Sequence, residues 1–520
     1  MRFEGERKRI LIVNGYLDET RRLRGRPHFV PQSVGPAYLA GAFNPELAEI
    51  RLYNELASGP LMDEDLLGWP DMLVLTSMTS GYDRMRHLAA YVRTKAPKCV
   101  VVAGGPAVRA LPELSRRFFD HCCSGDIEEL QSVVREVFGA DYVAESMDPR
   151  FDLVDWTWRL GYVESSRNCN FKCSFCSLTG ERLSYKTYDL DYLRRQLDRV
   201  GRKTVIVFVD NNFYGNDRAY FLAKLDLLKQ YWKKGAFRAW AALVTNDFFL
   251  KPENLQLVRE AGCGSLFTGV ESFDVEVLRR YNKLQNLRLP QTEMIKSCLD
   301  AGIILNYGVI FDASARSLAD IREEIRFITG TPEITLPVFM NLTIPLLRTP
   351  YFYESLEERQ FLPRMKLRDM DGNTVIMKTV DPEEEVVEFL KDLPTLRGYK
   401  ARVMRHTAKF FRLYRGKLDP LFLAVAMGNA GFLCLPALVH DHRAFLKRDR
   451  LRQPPRTYIT TTEPAGPLYE PFFPVAERYR GHFDPLMITD ERGELCENVA
   501  ADLLAARPAP KQRAGLSARA

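Results

Sequence analysis

Thiols and imidazoles are scarce in this chain. Ten cysteines and seven histidines are spread over 520 residues, and cysteine at that density does not staple a secreted scaffold. No secretory leader is expected either: the first ten residues carry charge but no long apolar core. The net charge is only +6 at neutral pH, which for this length leaves no electrostatic footprint for nucleic acid. No Gly-x-Gly-x-x-Gly opens a helix, so the dinucleotide fingerprint is absent. Long uncharged runs that are also strongly apolar are rare. Leu421–Val439 reaches nineteen residues, the threshold for a membrane span. Gly428, Asn429, Gly431 and Pro436 interrupt it, so it reads as a buried helical pair or as an apolar wall beside a hydrophobic substrate. What remains is an ordinary globular balance, 46% hydrophobic and 27% charged, in a chain long enough for three or four domains.

Against that scarcity, three of the ten cysteines fall within eight residues, Cys169-Asn-Phe-Lys-Cys173-Ser-Phe-Cys176. Three thiolates can hold three irons of a [4Fe–4S] cube, which normally takes four protein cysteines. The fourth iron then keeps an open position, as catalytic metal sites do. Half of a zinc site is the competing reading. It lacks a fourth ligand nearby, because the next cysteine is Cys263 and no histidine lies between Cys176 and Cys263. Leu160–Ser165 reads as a short strand, which puts the thiols on the loop that leaves it. Reduced thiols and an iron–sulfur cluster both point to a reducing, cytoplasmic setting.

The first 145 residues alternate short apolar runs with helical patterns. Arg9–Val13 ends at Asn14-Gly15-Tyr16, and Asp71–Leu75 ends at Thr76-Ser77-Met78-Thr79-Ser80-Gly81. Cys99–Ala103 ends at Gly104-Gly105-Pro106, and His121–Cys123 ends at Ser124-Gly125-Asp126. Such runs are buried parallel strands of βα units. Helices are predicted over Val34–Phe43, Tyr82–Lys95, Pro112–Phe118 and Glu128–Val137. A ligand of such a sheet lies beyond the carboxyl ends of the strands, where these Ser, Thr and Gly loops fall.

Residues 146–158 are polar and aperiodic and read as a linker, with Trp156 and Trp158 over a joint. From 159 to 350 the βα pattern returns. Its strands are Leu160–Glu164, Thr204–Val209, Phe237–Leu243, Ser265–Val270, Ile304–Phe311 and Val338–Ile344, an incomplete (β/α)6 TIM-type barrel with its chemistry at the carboxyl-end loops. Asp210, Asn211 and Asn212 follow the second strand; Gly269-Val270-Glu271-Ser272 ends the fourth. Residues 351–505 form a mainly helical extension, with helices over Asp381–Leu393 and Lys400–Arg415, and 506–520 a disordered tail. The basic run Arg443–Arg452 is a solvated face or a patch for anionic lipid headgroups. The fold class is α/β throughout, with a Rossmann-like first domain.

The cysteine motif resembles that of the radical S-adenosylmethionine (SAM) superfamily, and the Thr/Ser and Gly-Gly loops before it resemble a cobalamin-binding domain. Gly-x-Glu-Ser followed by Asn282-Lys-x-Gln-Asn286 is similar to the cobalamin-dependent branch, mostly methyltransferases. The resemblance covers about two thirds of the chain. It implies three cofactors: a [4Fe–4S] cluster on Cys169, Cys173 and Cys176, SAM, and cobalamin. It places SAM near Phe175, Asp210, Asn211, Asn212, Glu271, Ser272 and Gly308. It places cobalamin on Asn14, Gly15, Tyr16, Thr76, Ser77, Thr79, Ser80, Gly104, Gly105, Pro106, Gly125 and Asp126. The chain departs from the Asp-x-His-x-x-Gly that many cobalamin proteins carry after the first strand. No histidine stands there, and His28 lies fourteen residues beyond Asn14, so no histidine is expected below the cobalt.

The resemblance implies that one SAM methylates the cobalamin while another yields a 5′-deoxyadenosyl radical. The radical takes hydrogen from an unactivated carbon, which then receives the methyl. The expected substrate is an apolar or amphiphilic small molecule, such as an isoprenoid lipid or a tetrapyrrole. An external reductant such as flavodoxin or ferredoxin is expected, as is peripheral contact with a membrane, but no nucleic-acid partner. Three rivals stand beside this. A cyclase or ring-rearranging enzyme would use both cofactors without methyl transfer. A methylthiotransferase would need a second cluster, for which Cys99, Cys122 and Cys123 make a poor scaffold. A noncatalytic cobalamin sensor has no use for an intact cysteine triad.

Overall fold

The structure is a computed structural model that describes residues 6–17, 33–156, 159–393, 397–441, 457–462 and 465–507. Strands β1 (Lys8–Gly15), β2 (Ala48–Asn54), β3 (Met72–Ser77), β4 (Val100–Gly104) and β5 (His121–Cys123) form a parallel sheet in the order β2-β1-β3-β4-β5. Alternate residues serve opposite faces, as the two-residue strand period requires. Ile10, Ile12, Met72, Val74 and Val102 enter one core, and Leu11, Val13, Leu73, Leu75 and Val101 enter another. The strand order turns between β1 and β3, and the crevice at such a switch point is the usual ligand site. Strand β2 was not expected from the sequence. It is an edge strand whose Glu49 and Arg51 are exposed, so it lacks the continuous apolar run of its neighbours. The helix expected over Pro112–Phe118 is the shorter Pro112–Ser115, with a second one at Pro106–Ala110. Each opens on a proline, which suits a first helical turn.

The second sheet holds β6 (Leu160–Val163), β9 (Lys203–Phe208), β10 (Phe237–Leu243), β11 (Cys263–Glu271), β12 (Ile304–Phe311) and β13 (Phe339–Leu342). Its order is β13-β12-β11-β10-β9-β6 and every pairing is parallel, an open half-barrel. A two-stranded antiparallel ribbon, β7 (Ser166–Arg167) with β8 (Lys186–Thr187), closes the base of the loop that carries the three cysteines.

The C-terminal third does not pack as a unit of its own. Helices Glu383–Asp392, Arg397–Tyr414 and Pro420–Asp441 add Val386, Phe389, Val403, Phe410, Phe422 and Leu433 to the half-barrel core. Residues from Tyr351 to Met377 and from Phe473 to Leu503 instead join the core on one face of the first sheet. There Arg86, on helix Tyr82–Lys95, donates to the carbonyls of Gly481 (2.6 Å) and Asp484 (2.8 Å). The Asp502 carboxylate accepts from the amides of Glu113 and Leu114, both at 3.0 Å.

The long uncharged stretch lies in helix Pro420–Asp441. Asn429 Nδ2 donates to Asn306 Oδ1 on β12 (3.2 Å) and to the Leu336 carbonyl (3.0 Å). The helix therefore packs on the half-barrel strands. No helix among the described residues is long and apolar enough to cross a membrane. His28, Trp158, Arg443–Arg452 and the tail from residue 508 lie outside the described residues. Trp156 packs edge-on to Phe151 and donates its indole N–H to the Phe151 carbonyl at 3.1 Å.

Candidate active site

The cysteine loop is pinned from several sides. The Ser174 amide donates to the Tyr281 carbonyl (2.9 Å), the Tyr351 amide to the Ser174 carbonyl (3.0 Å), and Asn282 Nδ2 to the Lys172 carbonyl (2.9 Å). Gln285 Nε2 reaches the Cys173 sulfur at 3.4 Å. The buried Lys283 ammonium faces Cys173 and Cys176, pairs with the Glu271 carboxylate, and stands 5.7 Å from the centre of the Phe175 ring. Phe175 packs against Tyr281 with ring centres 5.0 Å apart. Burial pushes the Cys176 thiol up to about 11 and raises Cys169 as well. These two thiols are thus held protonated, and metal binding there would displace protons. Among the described residues no three His, Cys, Asp or Glu side chains close around a single metal ion. An iron–sulfur cube is larger than one ion, so ligands to three of its corners stand further apart. Three thiols on one short loop and one neighbouring cation fit such an anionic cluster.

Strand β11 ends in a bulge between Gly269 and Glu271. Glu271 takes a left-handed backbone, φ +62°, a conformation that concentrates at functional sites. The bulge turns its carboxylate towards Lys283 and the thiols. One layer further into the half-barrel, Phe267 and Phe339 stack with ring centres 6.2 Å apart. A Cβ on Gly308 would fall 2.1 Å from the Phe339 ring, so that glycine admits an aromatic side chain from within the fold. Phe339 stays 41% exposed on the inner face.

The other expected SAM residues separate into two groups. Asp210 is fully committed to the protein: it accepts from the Ser165 amide (2.7 Å), Ser165 Oγ (2.5 Å) and Ser166 Oγ (2.7 Å). Ser272 donates to Glu324 at 2.7 Å and caps the following turn. Both therefore shape the loops. Asn211 is half-buried beside them. Asn212 donates to Asn170 within the cysteine loop at 2.7 Å, while its buried Oδ1 has no partner among the described residues. An orphaned buried acceptor at that position can serve a ligand's amine.

A cavity of about 460 Å³ opens where the first sheet meets the half-barrel. Thr76, Gly104, Gly105, Gly125 and Asp126 line it, with Val34, Val102 and Leu130 as apolar wall. Gly105 has φ +110°, and a Cβ there would meet the Ser77 carbonyl at 2.9 Å. Only glycine lets these two loops touch. The remaining seven expected residues do not line it, because the fold engages them elsewhere. Asn14 donates to Asn54 (3.0 Å), the Tyr16 amide to Glu55 (3.0 Å), and Ser77 Oγ to the Met78 carbonyl (2.8 Å). Gly15 neighbours Met85, and Ser80 lies in the short turn Thr79–Gly81. Thr79 and Pro106 face a small crevice against helix Ser177–Glu181.

Ionic contacts missed by the sequence reading cross this seam. Arg109 donates to the Ser124 carbonyl (2.7 Å) beside the cavity and pairs with Glu181 on the helix that begins after Cys176. Asp126 pairs with Arg167 and with Lys186, each at 2.8 Å, and Arg167 also pairs with Glu164. No spacing rule marks partners so far apart in the chain. Lys283 and Gln285, by contrast, lie inside the Asn-Lys-x-Gln-Asn run already singled out.

Burial pushes the Glu164 carboxyl on the cavity wall up to about 7, against the opposing pull of Arg167. Folding therefore favours the protonated acid. That stability is complete below the ordinary carboxyl range, near 4.5, and is lost as the pH rises through about 7. Thermal unfolding midpoints measured across this window should fall with rising pH, and Glu164→Gln should flatten the decline. An unchanged slope in the variant would remove Glu164 as its source.

The radical SAM superfamily profile matches residues 163–325, the segment from the end of β6 to the helix after β12. That segment is a radical SAM domain. Its similarity to curated proteins runs well outside that segment. The chain is 24% identical to the hopanoid C-2 methylase of Rhodopseudomonas palustris over 404 residues, 73% of this chain and 74% of the relative. It is 28% identical to the bacteriochlorophyllide d C-12(1)-methyltransferase of Chlorobaculum tepidum over 325 residues, 57% of this chain and 68% of the relative. Among solved structures, it shares the fold of the cobalamin-dependent S-adenosylmethionine radical enzyme OxsB with aqua-cobalamin bound. That match has a TM-score of 0.57 at 15% identity and covers 86% of this chain and 83% of OxsB. The two-sheet α/β architecture is thus that of a radical SAM half-barrel behind a Rossmann-like domain.

Proposed function

We propose that this protein is a cobalamin-dependent radical SAM C-methyltransferase acting on an unactivated carbon of an apolar or amphiphilic small molecule. The observation that carries the reading is the seam. The three-thiol loop and the cavity beyond the ends of β3, β4 and β5 face a common junction and are tied by Arg109–Glu181 and Arg167–Asp126. Cys169, Cys173 and Cys176 would hold the cluster, with Lys283 as a neighbouring cation and Gln285 as a donor to sulfur. Glu271, Asn212 and Phe175 are the candidates to position SAM. Thr76, Gly104 and Gly105 would hold the cobalamin tail, whose bulk the apolar cavity suits. When bound, the cluster and SAM supply a hydrogen-abstracting carbon radical, and cobalamin supplies a methyl group.

The substrate class rests on two supports. The inner face of the half-barrel presents Phe267 and the part-exposed Phe339, and Val209 at the end of β9 lines the cavity. The relatives named above methylate a hopanoid and a bacteriochlorophyllide, both largely apolar. An external one-electron donor of the flavodoxin or ferredoxin class and a cytoplasmic site of action complete the proposal. The test is an anaerobic, reduced incubation of the cobalamin-loaded enzyme with isoprenoid-lipid and tetrapyrrole panels and methyl-labelled SAM. The expected product is heavier by one labelled CH2, with 5′-deoxyadenosine formed alongside. A product of unchanged carbon count would favour the ring-forming alternative, and 5′-deoxyadenosine without any altered acceptor would reject these substrate classes.

A further inference from the structure

The charge of the chain is not evenly distributed. Between Arg397 and Leu418 there are eight lysines and arginines and no acid, a local excess larger than the net charge of all 520 residues. These residues form helix Arg397–Tyr414 and its turn. One face of the helix, through Tyr399, Val403, His406, Phe410 and Tyr414, is buried against the half-barrel. His406 and the Tyr414 hydroxyl are within hydrogen-bonding reach of the carbonyls of Thr331 (3.0 Å) and Glu333 (2.8 Å).

The opposite face is open, and it is not polar throughout. Met404 is 58% exposed, and Phe411 and Leu413 are exposed as well. Arg405 and Arg412 recur at seven-residue spacing beside Met404 and Phe411, so apolar and cationic side chains interleave along one stripe. Val425, on the next helix, is 44% exposed. Among the described residues no carboxylate pairs with Arg405, Lys409, Arg412 or Arg415, whereas the acids at the hairpin ends are taken: Asp300 by Lys417 and Asp419 by Arg238.

We propose that this hairpin docks the enzyme on the surface of an anionic lipid bilayer. A basic amphipathic helix with large apolar side chains on its free face lies in the headgroup region, its cations against anionic lipids and its apolar side chains below them. A protein interface fits less well, because the cores of such interfaces are depleted in charge, lysine above all, and here Met404, Phe411 and Leu413 each stand next to an arginine in the chain. Nucleic acid would leave Met404, Phe411 and Val425 without a role. Docking is independent of the reaction assigned above, although it would bring the half-barrel to where amphiphilic substrates reside.

The experiment is co-sedimentation of the intact holoenzyme with vesicles of phosphatidylcholine alone or with added phosphatidylglycerol. Binding is expected to the anionic vesicles only and to weaken with salt. Arg405→Glu, Lys409→Glu and Arg412→Glu together should lower partitioning on the order of a hundredfold. Met404→Ser with Phe411→Ser should lower it at high salt, where the electrostatic share is screened. Unchanged far-ultraviolet dichroism and unchanged turnover of detergent-dispersed substrate serve as folding controls. Equal binding to neutral vesicles, insensitivity to both variants, or capture of nucleic acid in place of vesicles would each overturn the proposal. An enzyme that bound anionic vesicles yet methylated nothing would refute the assigned reaction and leave docking standing.

Discussion

Alanine at Cys169, Cys173 and Cys176 together should leave a folded protein that holds no [4Fe–4S] cluster and forms no 5′-deoxyadenosine. The loop has other anchors: the Ser174–Tyr281, Tyr351–Ser174 and Asn282–Lys172 hydrogen bonds all use backbone atoms or a side chain outside the triad. Removing three sulfurs therefore deletes the ligands without deleting the loop. Reconstitution with iron and sulfide under anaerobic conditions, followed by iron analysis and quantification of SAM cleavage, reads both effects. The wild type should bind about four irons per chain. A triple variant that still binds a full cluster and cleaves SAM would refute the assignment. Turnover should fall to background because the effect is loss of the reductant's only route to SAM and not a weakened contact.

Arg84→Met should have the largest effect on stability. Arg84 and Glu55 form an ion pair in which both side chains are fully buried. Glu55 also accepts from the amides of Leu61 (2.8 Å) and Tyr16 (3.0 Å), and Arg84 donates to the Leu61 carbonyl (3.0 Å). Removing the guanidinium strands a carboxylate in the core, a change that costs about 3–5 kcal/mol. Removing both charges, in Arg84→Met with Glu55→Gln, should recover part of that loss, since the stranded charge and not the missing attraction dominates. Urea unfolding gives the comparison directly. A single variant within about 1 kcal/mol of wild type would show that the pair is not structurally decisive. Because Glu55 also holds the Tyr16 amide at the end of β1, the single variant should loosen the loop beside the cavity.

The sequence revealed most where a short local pattern fixes the structure. Strands β10 and β12 and helix Tyr82–Lys95 fall on the residues expected from apolar periodicity. The Thr76 and Gly104–Gly105 loops line one cavity, as glycine at a strand end foreshadows. Polar residues at strand ends were harder to read. Asp210 and Ser272 have the right place and chemistry for a ligand, yet the fold engages them with Ser165, Ser166 and Glu324. Nothing in a linear sequence distinguishes a carboxylate facing a ligand from one facing its own loop. Edge strand β2, with charges at alternate positions, shows the same limit for a backbone element. The contacts across the seam, Arg109 with Glu181 and Arg167 with Asp126, join residues 72 and 41 positions apart, and only the folded chain pairs them.

Arg86 meets its partner Asp484 across 398 residues of chain. Helix Tyr82–Lys95 is made well before the residues that cover it. At about 5–20 residues per second the interval is roughly 20–80 s. Through that time the first sheet can form while the side of the helix that carries Asp83, His87 and Tyr91 has no cover, for those groups later meet Tyr469, Phe472 and Phe483. Synthesis thus passes through a long-lived nascent stage with an apolar face open to wrong partners, and a chaperone that shields the N-terminal third until the chain is finished would raise the yield of active enzyme more than one acting on the half-barrel.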